Sequence, residues 1–303
     1  MPPLLKSLRP RQWLKNVLVF AGLAFSGHAL DPSDVLRALA AFAAFCAASS
    51  AVYLVNDVLD RERDRLHPTK RHRPVASGAV AVPTALGAAV VLAAAALAVS
   101  ARLGDALFAV VSYLLLQVAY GVWLKHRVLL DVFTIAAGFT LRVLAGVWAI
   151  DAWLSPWLVA VTVEVALFLA LCKRRAEVFA VTEKGGDLAQ RPILRDYAGP
   201  ATDMMIGVMA ATTLATYALY TLLPADVLAL GAAGRAAAQA SRAGAPGMIF
   251  TLPFVTYGML RYLWLLYHRH EGESPELVAT RDPGMALTAL GYAAVAGFVI
   301  YGG

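Results

Sequence analysis

The chain has 303 residues, 60% of them hydrophobic and only 15% charged, with a mean hydropathy of +0.66. So few charges among so many apolar residues exclude an ordinary soluble domain and point to a helical protein that crosses the bilayer repeatedly. The net charge of +6 would suit a nucleic-acid partner, but the bases lie beside apolar runs, where topology and anionic membrane lipid account for them; no interleaved aromatic or helix-turn-helix pattern accompanies them, so none is expected.

Windows of about 20 apolar residues predict about nine spans, near 16–30, 35–57, 80–101, 104–124, 128–150, 153–172, 202–223, 247–267 and 284–302. The expected fold is all-α: one polytopic membrane bundle over residues 1–303, with homo-oligomers possible. A basic start followed by an apolar stretch is also how a signal peptide begins, but the spans that follow favour a first transmembrane helix. Alanine-rich runs such as Ala93–Ala96 leave room for close helix packing.

Charge sets the expected orientation. Lys6, Arg9, Arg11 and Lys15 precede the first span, Arg61 to Arg73 follow the second, Lys125 and Arg127 follow the fourth, and Lys173 to Arg195 follow the sixth. The alternate connections carry little beyond Arg37, Arg102, Arg235 and Arg242. The positive-inside rule then places the N-terminus and the charged connections in the cytoplasm, as in a multi-pass plasma-membrane protein. The connections 61–79 and 173–200 both follow span ends on that face, which suggests one cytoplasmic cavity holding the active site. The connection 225–246 reads as an external linker. Cys46 and Cys172 fall in separate spans and suggest no disulfide, and the six histidines have no zinc spacing; His268 and His270 read as interfacial.

The second span ends in Asn56-Asp57-Val58-Leu59-Asp60-Arg61-Glu62-Arg63-Asp64. On a helix, Asn56, Asp57, Asp60 and Asp64 share an arc of about 100°. Three carboxylates on one face repel unless a cation joins them, and hard oxygens suit Mg²⁺, which takes much of its shell from water and substrate phosphate. A solvated helix end neutralised by Arg61, Arg63 and Arg65 is the competing reading. Pro68 then stops the helix, and Lys70 and Arg73 follow as phosphate-binding candidates, or as topology signals. Tyr120 and Lys125 stand at the end of the fourth span; Asp131 and Arg142 lie in or at the edge of the fifth, as cavity residues or as a structural Asp–Arg pair. Glu164 lies in the sixth span, and Lys173-Arg174-Arg175-Ala176-Glu177 after it would suit a polyanion or set topology.

These residues resemble the UbiA superfamily of intramembrane prenyltransferases over almost the whole chain. The resemblance rests on Arg9-Pro10-Arg11-Gln12-Trp13-Leu14-Lys15-Asn16, the acidic motif at 56–64, Lys70 to Pro74, Tyr-x-x-x-Leu-Lys at 120–125 and the basic run with Glu177. Members that use a prenyl diphosphate carry a second aspartate-rich motif after the sixth span; this chain has Lys173, Arg174, Arg175 and Glu177 there, with Asp187 and Asp196 too widely spaced to replace it. The acidic motif combined with the tyrosine–lysine motif resembles the phosphoribosyl-transferring branch, and the departure fits a donor that brings a further phosphate. The resemblance implies transfer of 5-phosphoribose from 5-phosphoribosyl 1-diphosphate to a polyprenyl phosphate, releasing diphosphate, in lipid-linked cell-wall precursor synthesis. It implies Mg²⁺ on Asp57, Asp60 and Asp64 with Asn56, phosphate binding by Lys70, Arg73, Arg142, Lys125, Lys173 and Arg174 with Glu177, substrate orientation by Tyr120, and acceptor binding by Lys15 and Asn16. Prenylation of an aromatic acceptor is the alternative enzyme, and an ion pathway the non-enzymatic one, although the polar residues gather at one membrane face.

Overall fold

In a computed structural model of the chain, residues 2–183, 192–223, 246–272, 278 and 281–302 are described; they are helical or irregular, with no strand among them. Among the described residues, seven helices are long and apolar enough to cross a membrane. The helices run α1 (Pro3–Ser7), α2 (Ala21–Phe25), α3 (Pro32–Leu59), α4 (Arg61–Leu66), α5 (Val82–Ser100), α6 (Ala106–Val122), α7 (Leu130–Ala149), α8 (Pro156–Glu183), α9 (Pro192–Asp196), α10 (Pro200–Leu222), α11 (Leu252–Arg269) and α12 (Pro283–Tyr301). The seven are α3, α5, α7, α8, α10, α11 with the turn before it, and α12; α6 is a shorter apolar helix of 17 residues. Lys184, Asp187 and Arg191, and nearly all of the connection 225–246, lie outside the described residues.

The expected first span takes a different form. Pro10–Phe20 is a 3₁₀ helix that continues into α2. A 3₁₀ helix rises about 2.0 Å per residue against about 1.5 Å in an α-helix, so these 16 residues extend about 30 Å, the thickness of the hydrocarbon layer. A Cβ on Gly146 of α7 would run into the Val19 carbonyl, and one on Gly22 would lie 2.7 Å from the Val147 side chain. Hydrogen at these two positions is what admits so close a packing of this segment on α7.

Prolines and caps set the helix starts. Asp31 caps α3, accepting from the Ser33 amide at 2.8 Å, with Pro32 in the first turn. Asp282 caps α12 through the Met285 amide at 2.9 Å. Helices α3 and α8 have 28 residues each, about 42 Å long, so each carries its charged end beyond a 30 Å hydrocarbon layer. The sixth span, expected to end at 172, continues as helix to Glu183 and puts Lys173 to Glu177 on a helix instead of in a connection.

The chain divides into two compact units: residues 1–24, 28–122 and 141–152, and residues 25–27, 123–140 and 153–303. In the first, α3 packs chiefly on α5, with small residues at the contact: Ala51 and Leu54 meet Ala85 and Ala89, and Ala41 and Ala48 join Phe45, Val110 and Tyr113 in a second core. Alanine lets backbones approach where lipid offers no hydrophobic drive; of Ala93–Ala96, Ala96 is fully buried. In the second, α8 packs on α10 and α11 on α12, around Phe168, Leu171, Tyr197, Leu265 and Leu266.

Candidate active site

Two polar clusters stand out, one in each unit. In the first unit α3 ends at Leu59, Asp60 adopts φ −88° and ψ 0°, and α4 resumes at Arg61, with the Asp64 amide still donating to the Asp60 carbonyl at 2.8 Å. Asp57 and Asp64 therefore turn inward together, each 2% exposed. Arg73 bridges them: one guanidinium nitrogen donates to Asp64 Oδ2 at 2.6 Å and to Asp57 Oδ1 at 3.3 Å. Arg9 donates to the same Asp57 oxygen and lies over the Tyr53 ring at 4.7 Å. Asp60 is brought elsewhere, accepting from Arg63 at 2.7 Å on the exposed side. Among the described residues, then, no three Asp, Glu, His or Cys side chains are already gathered around one metal position.

The donor set still fits a divalent cation. Two buried carboxylates supply hard oxygens, and a Mg²⁺ ion commonly takes one or two carboxylates with water and phosphate completing its shell. Two carboxylates and two guanidiniums leave the cluster neutral as it stands, so a cation arriving with a diphosphate preserves the balance where a bare cation would not. Arg9 and Arg73 are 28% and 29% exposed in their side chains, open enough to exchange a carboxylate for a phosphate oxygen. Arg9 also holds a left-handed φ of 53°, a strain that surrounding structure must maintain. It belongs to the Arg9–Asn16 segment, but the sequence alone did not mark it as a site residue; its distance of 48 residues from Asp57 hides the pairing.

Asn56 lies beside α6, its Oδ1 3.8 Å from where a Cβ on Gly121 would stand, next to Tyr120. Lys70 begins a short 3₁₀ turn and is half-buried. Asn16 is buried: its carbonyl accepts from Arg142 Nε at 2.7 Å and its amide donates to Cys46 Sγ and Ser49 Oγ, each at 3.3 Å. Lys15 before it is half-buried. Arg142 also reaches the Tyr113 hydroxyl at 3.3 Å and lies over that ring. Asp131 and Arg142 thus do not pair with each other. Cys46 and Cys172 are free thiols. His270 stacks on Phe179 and pairs with Glu183, while His268 stacks on Trp264. Glu164 accepts from Thr216 Oγ1 at 3.0 Å, a bond between α8 and α10.

In the second unit Arg174 is the hub. Its Nε donates to Asp131 Oδ2 at 2.7 Å and its Nη1 to Glu177 Oε2 at 2.9 Å, one turn along α8. Asp131 is fully buried, and its other oxygen accepts the Tyr197 hydroxyl at 2.5 Å. Burial, then the neighbouring Asp131 carboxylate, push the Tyr197 hydroxyl well above the ordinary tyrosine range, so it stays a donor. Arg175 faces another way, to Asp203 at 2.8 Å and to the Ala198 carbonyl. Of the three consecutive bases only Lys173, half-buried, makes no ion pair among the described residues. Lys125 sits half-buried on the 3₁₀ turn Leu124–His126 and likewise makes none. Asp196 is exposed on α9. Tyr197 escaped the sequence reading because a lone tyrosine after a polar run carries no pattern.

Among the described residues, then, apolar helices of membrane length carry a buried acid pair bracketed by arginines. Residues 16–280 match the UbiA prenyltransferase family, and the chain belongs to it. The decaprenyl-phosphate phosphoribosyltransferase of Mycolicibacterium smegmatis is 35% identical over 306 residues, covering 98% of this chain and 92% of that protein. That of Corynebacterium glutamicum is 36% identical over 295 residues, covering 95% and 84%. The fold matches the structure of a UbiA homolog from Archaeoglobus fulgidus bound to GPP and Mg²⁺, with a TM-score of 0.70 at 19% identity over 98% of this chain and 99% of that one.

Proposed function

We propose that this protein transfers 5-phosphoribose from 5-phosphoribosyl 1-diphosphate to a polyprenyl phosphate, with release of diphosphate, as a step toward lipid-linked sugar for the cell wall. The observation that carries the reading is the full-length similarity to decaprenyl-phosphate phosphoribosyltransferases. The basic Lys173 to Glu177 run, where a second acidic motif would serve a prenyl diphosphate, agrees with it. The C1–oxygen bond to diphosphate breaks as a bond forms between C1 and a lipid phosphate oxygen. That oxygen is already ionised, so no strong general base is needed.

Asp57, Asp64 and Asp60 are the residues to hold Mg²⁺, Asp60 by turning from an exposed pair with Arg63 that holds it weakly. The metal, when bound, neutralises charge on the leaving diphosphate. Arg73 and Arg9 bind the phosphate oxygens that arrive with it, and Asn56 and Tyr120 orient the substrate. Lys70, Lys125 and Lys173 hold phosphate groups; Arg174 and Glu177 contribute by fixing the α8 end that carries Lys173. Arg142, with Asn16 and Lys15, serves the acceptor. The bias of basic residues supports an active site on the cytoplasmic side of the plasma membrane.

Membranes containing the protein, given radiolabelled 5-phosphoribosyl 1-diphosphate, polyprenyl phosphate and Mg²⁺, should form labelled lipid that disappears with EDTA. Folded protein that labels no lipid, but joins prenyl diphosphates to aromatic acceptors, would overturn the reading.

A further inference from the structure

Tyr197 stands at the centre of the second cluster, yet it is not one of the motif residues. Its hydroxyl donates to Asp131 Oδ1 at 2.5 Å and accepts from the Leu129 amide at 2.9 Å. Leu129 is not glycine and holds φ at 67°. A leucine enters that left-handed region only under constraint, and here the Tyr197 hydroxyl takes the one hydrogen bond its amide offers. Backbone bonds brace the same stretch: the Arg127 amide donates to the Leu124 carbonyl, the Asp131 amide to the Arg127 carbonyl and the Phe133 amide to the Leu129 carbonyl. Lys125 lies in the turn Leu124–His126 that the first of these bonds closes. At the other side Asp131 holds Arg174, next to Lys173 on α8.

From this we infer that Tyr197 is a positioning residue: one hydroxyl fastens the 124–131 connection to the end of α8 and so sets Lys125 and Lys173 for a phosphorylated donor. Tyr197 is fully buried, so the role inferred for it acts through the groups it holds. Its removal frees the Leu129 amide, lets φ relax and leaves Asp131 one donor short. The phosphate contacts then loosen while the acceptor side is untouched. The inference rests on the proposed role of the two lysines in holding phosphate.

The test is Tyr197→Phe, which removes one oxygen and keeps the ring. The KM for 5-phosphoribosyl 1-diphosphate should rise about tenfold, the loss typical of hydrogen bonds to a charged group. The KM for polyprenyl phosphate and the amount of protein in the membrane should stay unchanged. Asp131→Asn, which keeps an acceptor for Tyr197 but weakens Arg174, should shift the same constant in the same direction. A fall in kcat alone, an equal rise in both KM values, or failure of both variants to accumulate would overturn the inference, since each marks a merely structural role. Wild-type protein inactive with this donor but active with a prenyl diphosphate would refute the proposed function instead; the same donor-selective shift would then be sought with that diphosphate.

Discussion

The two clusters use the same ingredients to different ends. In the first unit Asp57 and Asp64 are buried, but the arginines that neutralise them are more than a quarter exposed. In the second unit Asp131 is buried and so is its arginine, with an 11% exposed side chain. A partly exposed guanidinium can trade a carboxylate for an incoming phosphate at little desolvation cost; a sealed one cannot, because leaving its partner strands a charge in low dielectric. On the proposed function, the burial of the cation, not of the acid, is what would separate an exchangeable site from a structural brace.

Asp57→Asn breaks the comparison most severely on the exchangeable side. Turnover should fall at least about 100-fold, near 3 kcal/mol of lost transition-state stabilisation, while the amount of inserted protein stays the same. Labelled-lipid formation normalised to protein checks it; near-normal turnover would remove the cluster from the chemistry. Arg174→Ala acts on the brace. It removes the cation beside the buried Asp131 and should cost about 3–5 kcal/mol of stability, seen as early thermal unfolding in detergent. Arg174→Lys should not restore it, since one ammonium cannot reproduce the two-pronged contact.

Lys173→Ala sharpens the contrast one residue away. Its ammonium balances no acid among the described residues, so unfolding should be unchanged while the donor KM rises about tenfold. The smallest effect concerns Asp282. The Arg261 hydrogen bond holds its carboxyl below the ordinary carboxylate range. Its contribution to stability is therefore complete above the ordinary value of about 3.9 and lost as pH falls through the lowered one. Asp282→Asn should lower thermal stability slightly at neutral pH and make no difference in strong acid.

Much of this was legible in the residues. Apolar runs marked most membrane helices to within a few residues, because hydrocarbon forces the backbone into helix wherever the side chains permit it. The acidic motif marked a charged helix end. The break at Asp60 was not legible: a face drawn on one continuous helix groups Asp60 with Asp57 and Asp64, whereas the turn sends it toward Arg63. Nor was the length of α8, whose charged end looks like a connection until Arg174 and Glu177 pair along it.

By itself, then, the sequence determined an all-helical membrane protein with basic segments beside its apolar runs and an acidic helix end, because hydropathy and charge act locally and sum along the chain. Tertiary structure alone decided which polar groups meet: Arg9 with Asp57 across 48 residues, Tyr197 with Asp131 across 66, and Arg174 with Asp131 across 43. Those partners are chosen by helix packing, which also sets how far each cation stays exposed: 28% and 29% for Arg9 and Arg73, 11% for Arg174.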